Sequence, residues 1–261
     1  MPKALTGKVA VVTGSTQGLG AAIATLFVKQ GAKVLITGLS ATDGKALARK
    51  LGRNAVFEQA DLTRVDDCER LIRVALDRFK KIDILINNAV CATRTTVDTV
   101  SPEVFDQIFA VNVRAPLMLA HHAIGSLRRQ RGVIINIGSI NAFMGEPSLL
   151  VYAASKAALQ TASRNLANFL KFDRVRVYCL NIGWMNSEGE RAMMSQLGHP
   201  PDFIEKQGKA WPLGRILKPA EVAEVPLFLA SEKGVPFSGQ VIELEQFPTG
   251  ALGAPQKAGL T

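Results

Sequence analysis

The chain has 261 residues, 48% hydrophobic and 20% charged, enough for one large α/β domain with a substantial core. Its net charge of +9 is scattered in short clusters (RFKK at 78–81, LRRQR at 127–131) and aromatics make up only 6%, so it lacks the basic stripe with interleaved stacking residues that a nucleic-acid surface uses. No apolar run reaches the roughly 18 residues of a membrane span, no apolar signal core precedes the first strand, and the three cysteines lack metal-ligand spacing, a pattern expected of reduced thiols in a cytoplasmic protein.

The elements alternate along the chain. Residues 8–13 (KVAVVT) form a β-branched run, and 19–31 (LGAAIATLFVKQG) follow a glycine-punctuated turn as an amphipathic helix stopped by Gly31. A strand at 33–37, a helix near 42–51 and a strand at 55–60 come next, then a helix on which Val65, Cys68, Leu71, Ile72, Ala75, Leu76 and Phe79 keep helical period. IDILIN (82–87), helical material over 102–129, GVIINIG (132–138), a helix over 150–171, RVRVYCL (174–180), a helix near 219–231 and QVIELE (240–245) complete the pattern. Pro226 is expected to kink that last helix or to mark its first turn.

Seven strand-like runs separated by helices predict a doubly wound parallel sheet covered on both faces, a Rossmann-like fold in a single domain spanning 1–261. Residues 184–215 show no obvious periodicity and are expected to form a substrate lid, with Met193, Met194, Leu197, Phe203 and Ile204 either covering an apolar ligand or packing plainly. The Pro/Gly-rich tail, 248–261, is expected to be frayed or docked on a neighbouring subunit.

Two stretches carry chemistry. TGSTQGLG places Gly14, Gly18 and Gly20 between a strand and a helix, where glycines admit close approach of a pyrophosphate and a helix N-terminus supplies amide donors. VYAASKAALQ sets Tyr152 and Lys156 one helical turn apart, so that their side chains share a face. That pair is either a phenol lying along a lysine stem or a proton donor whose pKa a neighbouring cation pulls below about 10.

TGxxxGxG at 13–20, Asn87–Asn88–Ala89 after the fourth strand, Ser139 thirteen residues before Tyr152, and YxxxK at Tyr152 and Lys156 together resemble the short-chain dehydrogenase/reductase family. Asn112 in FAVNVRAPL and the segment WPLGRILKPAEVAEVPLFLAS extend the likeness over essentially the whole chain. The resemblance implies hydride exchange between a nicotinamide cofactor and a secondary alcohol or ketone, with Asn112, Ser139, Tyr152 and Lys156 as the catalytic set. It implies Tyr152 as general acid and base, Ser139 orienting the substrate oxygen, Lys156 holding the nicotinamide ribose, and the Asn112 backbone positioning a relay water. A different class, a dinucleotide-binding regulator or scaffold without turnover, has no use for that proton path. Trans-2-enoyl reduction goes with a wider Tyr-to-Lys spacing than the four found here.

By the same resemblance, the cofactor would be held by Gly14, Gln17, Gly18, Leu19 and Gly20 of the first turn, Gly38 and Leu39 after the second strand, Asp61 and Leu62, Asn88 and Ala89, Tyr152 and Lys156, and Gly183 and Ser187. Asp61 is equally read as a turn cap, and Ser187 as a helix cap before Glu188 and Glu190. No acidic residue stands at Gly38 and no basic one at Leu39 or Gln17, which favours NAD over NADP slightly, because a 2′-phosphate wants a fixed cation; Ser40, Thr42 or Lys45 would be the alternative phosphate ligands. The resemblance further implies a homo-oligomer, most commonly a tetramer. Three positions depart from the family pattern: Val90 for the glycine of NNAG, Ile182 for the proline of PG, and Glu245–Gln246–Phe247 for DGG.

Overall fold

In the computed structural model, which describes residues 3–247, the apolar runs become β1 (Val9–Val12), β2 (Lys33–Gly38), β3 (Ala55–Gln59), β4 (Ile84–Asn87), β5 (Val133–Ser139), β6 (Arg176–Ile182) and β7 (Val241–Leu244). The tail at 248–261 lies outside the described residues. All six pairings are parallel, and the sheet order is β3-β2-β1-β4-β5-β6-β7. The order reverses between β1 and β4, the switch point at which open α/β sheets bind ligands beyond their carboxyl ends.

Burial explains why these strands are apolar on both faces. Ala10, Val12, Val34, Ile36, Ile84 and Ile86 point to one layer, packed by Ile23 and Phe27 of α1 (Gly18–Lys29). Their neighbours Val11, Leu35, Leu85, Ile134 and Val177 point to the other, packed by α3 (Val65–Phe79), α5 (Ala115–Gln130) and α6 (Leu150–Leu170). α2 (Ala41–Leu51) lies against β3, and α1 stops at Gly31, whose φ of +92° suits only glycine.

The helical material expected over 102–129 is two α-helices joined by a wider turn. α4 (Pro102–Phe109) runs into a π-turn over Ala110–Arg114 before α5 begins. Pro116 has no N–H to give the Asn112 carbonyl, so an α-helical bond is impossible there. The chain winds wider instead, and Ala115 N–H reaches the Ala110 carbonyl.

Residues 184–215 hold more regular structure than their sequence suggested: α7 (Glu188–Gln196) and α8 (Phe203–Gly208). These helices close a third small core of Met194, Ile204 and Ile216 with Trp184, Met193, Phe203 and Trp211 around it. α9 (Pro219–Val222) and α10 (Glu224–Ala230) meet at Ala223, which puts Pro226 in the first turn of α10. Among the described residues no helix is long and apolar enough to cross a membrane.

Candidate active site

The carboxyl ends of the central strands open into a cavity of about 2060 Å³. That exceeds the roughly 300–1,000 Å³ of a pocket for one small ligand and leaves room for a dinucleotide with a small substrate. Its floor is the first turn. Gly14 combines a φ of +59° with a contact no side chain permits, since a Cβ there would stand 2.7 Å from the Ala89 Cα. Gly18 (φ +56°) opens α1, with Gln17 as an N-cap whose side chain makes no capping bond. Gln17, Gly18 and Leu19 line the cavity. Gly20 does not: a Cβ there would run into the Gly14 carbonyl and the Asn88 amide, so Gly20 lets α1 close on the turn rather than touching a ligand.

Asn88 ties the end of β4 to this turn. Its Nδ2 donates to the carbonyls of Thr13 (2.9 Å) and Gly14 (3.0 Å), while the N–H groups of Asn88 and Ala89 both donate to Thr13 Oγ1. At the end of β2, Gly38 packs on Thr16, and Leu39 is 70% exposed along the cavity rim. Asp61 and Leu62 line the same stretch. Asp61 Oδ1 accepts from Thr63 N–H (2.9 Å) and Thr63 Oγ1 (2.8 Å), so the turn-capping alternative is realised in a residue that also faces the cavity. Ser40 accepts from Asp43 N–H as the N-cap of α2, and Asp43 lines the cavity beside it.

At the other end β5 delivers Ser139, 4% exposed, whose Oγ accepts from Asn141 N–H and Nδ2 and meets the Tyr152 hydroxyl. Lys156 is 2% exposed and donates to the Ile137 carbonyl at 2.8 Å; its Nζ stands 5.8 Å from the centre of the Tyr152 ring. Burial pulls the Lys156 pKa down to about 8. The Tyr152 phenol goes up, not down as the one-turn spacing suggested: burial raises it, the Ser139 hydrogen bond opposes this in part, and the Glu190 carboxylate adds to the rise. Desolvation of the phenolate sets the direction, while the ammonium is turned toward the β5 backbone.

Asn112 is 1% exposed and does not line the cavity. Its Oδ1 accepts from Cys91 N–H at 2.8 Å, and its Nδ2 donates to the Cys91 carbonyl and to Ser155 Oγ, which staples the loop after β4 to α6. Gly183, just past the end of β6, and Ser187, at the start of α7, flank the cavity. Ser187 Oγ accepts from Glu190 N–H at 3.2 Å as the N-cap of α7, so the cap reading holds for a residue that also faces the cleft.

Two residues here were not singled out from the sequence for any contact. Glu190 accepts from the Trp184 indole N–H at 2.7 Å, and Glu188 Oε2 accepts from Gly18 N–H at 3.1 Å. Both read in sequence only as acidic residues opening a helix. Glu188 and Gly18 are 170 residues apart, and no local pattern signals such a contact.

The profile of a family described as enoyl-(acyl carrier protein) reductase matches residues 14–245. The chain is 36% identical to an L-fucose dehydrogenase of Oryctolagus cuniculus, over 87% of this chain and 80% of that one. It is 30% identical to a 3-oxoacyl-acyl-carrier-protein reductase of Chlamydia trachomatis, over 92% and 97%. Its fold superposes with a TM-score of 0.90 on L-sorbose reductase from Gluconobacter frateurii, a structure complexed with NADPH and L-sorbose, at 26% identity over 97% of this chain and all of that one. Glycine turn, strand order, Ser–Tyr–Lys cluster and relatives agree, and the chain belongs to the short-chain dehydrogenase/reductase family of oxidoreductases.

Proposed function

We propose that the protein interconverts a ketone and a secondary alcohol, with Tyr152 as the proton donor and acceptor. The observation that carries this is the meeting of Ser139, the Tyr152 phenol and the buried Lys156 at one end of a cavity whose other end is the glycine turn. The residues fit a nicotinamide dinucleotide: the missing Cβ of Gly14 and the N-terminus of α1 suit a pyrophosphate, and the cavity has the length for both halves. Such a cofactor, when bound, exchanges hydride with the substrate carbon.

The rest falls to the chain itself. The Tyr152 phenol holds its proton through neutral pH, as an ordinary phenol does, and is placed to donate it to a carbonyl oxygen. Ser139 Oγ, already bonded to that phenol, gives the same oxygen a second partner and fixes its distance. Lys156 places a positive charge in a water-poor site, where it stabilises the phenolate left after donation more strongly than it would in water. Asn112 holds the loop after β4 in register with α6. Alcohol oxidation needs the phenolate first, and so should rise with pH more steeply than ketone reduction.

Residues 184–215 act as the cover of the substrate end, where Trp184, Met193, Met194, Leu197 and Phe203 line the cavity. Polar groups share that end: Asn141, Glu146, Glu190 and His199 also line it. They favour a small hydroxylated carbonyl compound over a plain hydrocarbon ketone. NAD(H) is the preferred cofactor, since Asp43 and Asp61 line the cleft near Leu39, and Arg114, which lines it too, donates to the Thr63 carbonyl at 2.5 Å. The solved relative holding NADPH makes the comparison of both cofactors essential. The protein works as a homo-oligomer, a reading supported by exposed apolar rings at Phe105, Phe169 and Phe172.

The test is a panel of L-fucose, L-sorbose, simple ketones and 3-oxoacyl thioesters, followed at 340 nm with NADH and with NADPH. Turnover of at least one carbonyl compound that disappears in Tyr152→Phe is the expected result. Tight dinucleotide binding with no turnover across the panel would favour a non-catalytic dinucleotide-binding protein.

A further inference from the structure

α1 and α7 point their N-termini at the same spot, and one carboxylate lies between them. Glu188 is the first residue of α7, and its Oε2 accepts from the N–H of Gly18, the first residue of α1, at 3.1 Å. The two helix starts are packed closely enough that a Cβ on Gly18 would stand 3.7 Å from the Ser187 Cβ, and one on Gly189 would stand 3.8 Å from Gln17 Nε2. α1 brings no anion of its own, having no acidic residue in its first turn and no side-chain bond from its N-cap. A helix N-terminus of twelve residues, opened by glycine, attracts negative charge. Without a dinucleotide, Glu188 provides that charge.

We propose that Glu188 sets cofactor affinity as a built-in competitor: its carboxylate occupies the N-terminus of α1 and must leave it when a pyrophosphate arrives. This rests on the reading of the glycine turn as a dinucleotide site. The same bond latches the cover to the floor of the cleft, because α7 carries Met193 and Met194 over the substrate end while its first residue grips the glycine turn. Emptying the cleft therefore draws α7 down, and filling it with phosphate releases α7 from α1. Ser187 capping and the Glu190–Trp184 bond hold the rest of α7 in place meanwhile.

Glu188 is exposed, so the contact is one of the weaker of its kind. A carboxylate at an exposed helix N-terminus is worth about two- to fivefold in an equilibrium constant. Glu188→Ala should lower the dissociation constants of NADH, NADPH and ADP-ribose by about that factor in fluorescence or calorimetric titrations, and leave that of adenosine, which has no phosphate, unchanged. In the cofactor-free protein the same substitution should speed amide hydrogen exchange across the first turn of α7 and at Gly18. Glu188→Gln, which keeps an acceptor of the same shape, should gain affinity while protecting α7 better than Glu188→Ala does.

Unchanged ADP-ribose affinity in Glu188→Ala would overturn the competitor role while leaving the dinucleotide reading intact. A gain in affinity with α7 exchange unaltered would reduce Glu188 to a distant repulsive charge and overturn the latch. Failure of both the parent and the variants to bind any dinucleotide or ADP-ribose would overturn the site reading and the proposal together.

Discussion

Lys156 should destabilise the fold that it serves, and replacing it with methionine makes the cost measurable. Burial takes its pKa from 10.5 to about 8. At 1.36 kcal/mol per pH unit that fall amounts to roughly 3 kcal/mol. The sign follows from proton counting: the unfolded chain holds this proton more tightly than the folded one, so stability rises with pH wherever the unfolded state binds more protons. The penalty is fully present below pH 8, shrinks as pH rises from 8 to 10.5, and is gone above that. Lys156→Met removes the titration but also the bond to the Ile137 carbonyl, a loss of about 1–3 kcal/mol. Near pH 7 the two effects nearly cancel or slightly favour the variant; near pH 10.5 only the lost bond remains, and the variant is the weaker protein. Urea denaturation of both cofactor-free proteins at pH 7, 8.5 and 10 reads the difference. The expected swing between pH 7 and pH 10 is about 2.5 kcal/mol, because a remnant of the penalty persists until pH passes 10.5. A difference that stays constant with pH would show that the lysine titrates normally and would refute the account of the site as a place where burial stores strain in a charge.

The remaining expectations are simpler. Tyr152→Phe should cost about 10²–10⁴ in turnover, the usual worth of a general acid, with the dissociation constant for NADH unchanged in a fluorescence titration; a variant of parental activity would remove the tyrosine from the mechanism. Leu39→Arg, at a rim position 70% exposed, should raise the NADPH-to-NADH ratio of kcat/KM by roughly ten- to a hundredfold through a charge-assisted phosphate contact. Gly38→Asp should move the ratio the other way, but less cleanly, because its Cβ would stand 2.8 Å from Thr16 Cγ2 and Thr16 must turn aside first; ratios that stay within about threefold of the parent, well under a decade, would refute the placing of Gly38 and Leu39 beside the adenosine ribose. Light scattering at micromolar concentration should give the mass of an oligomer, with a tetramer expected, and a monomer would leave Phe169 and Phe172 without a covering partner.

Where the sequence was informative, the reason is local. β-branched runs, Gly31 as a helix stop and the glycines after β1 each act within a few residues, and the sheet follows from their alternation. α7 is legible only at its start, as the Ser187 cap before Glu188 and Glu190, because EGERAMMSQ has two glutamates, a glycine and an arginine around its methionines and shows no apolar face until Ile204 and Ile216 fold over it. The π-turn was present in sequence as Asn112 followed by Pro116, a spacing that forbids an α-helical bond, but only the structure shows the chain widening rather than ending there. The direction of the tyrosine pKa is hidden from sequence for a different reason. Spacing on a helix says that Tyr152 and Lys156 share a face; it does not say how dry that face is, or that Nζ turns toward the Ile137 carbonyl.

The three departures from the family pattern fall into two groups once their contacts are known. Ile182 is 7% exposed and joins the core at the end of β6, where it pairs with Ser139 and Leu244 across the sheet. An isoleucine there keeps its N–H in the ladder, which a proline cannot do, and so carries regular pairing up to the edge of the cleft. Val90 is half exposed inside the cavity and narrows it beside Cys91. Glu245, Gln246 and Phe247 act on the cover. The Glu245 carboxylate lies where a Cβ on Gly183 would be, Gln246 accepts from Leu213 N–H (2.9 Å) and donates to the Arg215 carbonyl (2.8 Å), and Phe247 packs edge-on against Trp211. Trp211 in turn contacts Trp184, whose indole N–H donates to Glu190. A glycine pair after β7 would offer none of these contacts. In this chain the residues after the last strand brace the cover from below while Glu188 latches it from the side, so the shape of the substrate end depends on positions far in sequence from Tyr152.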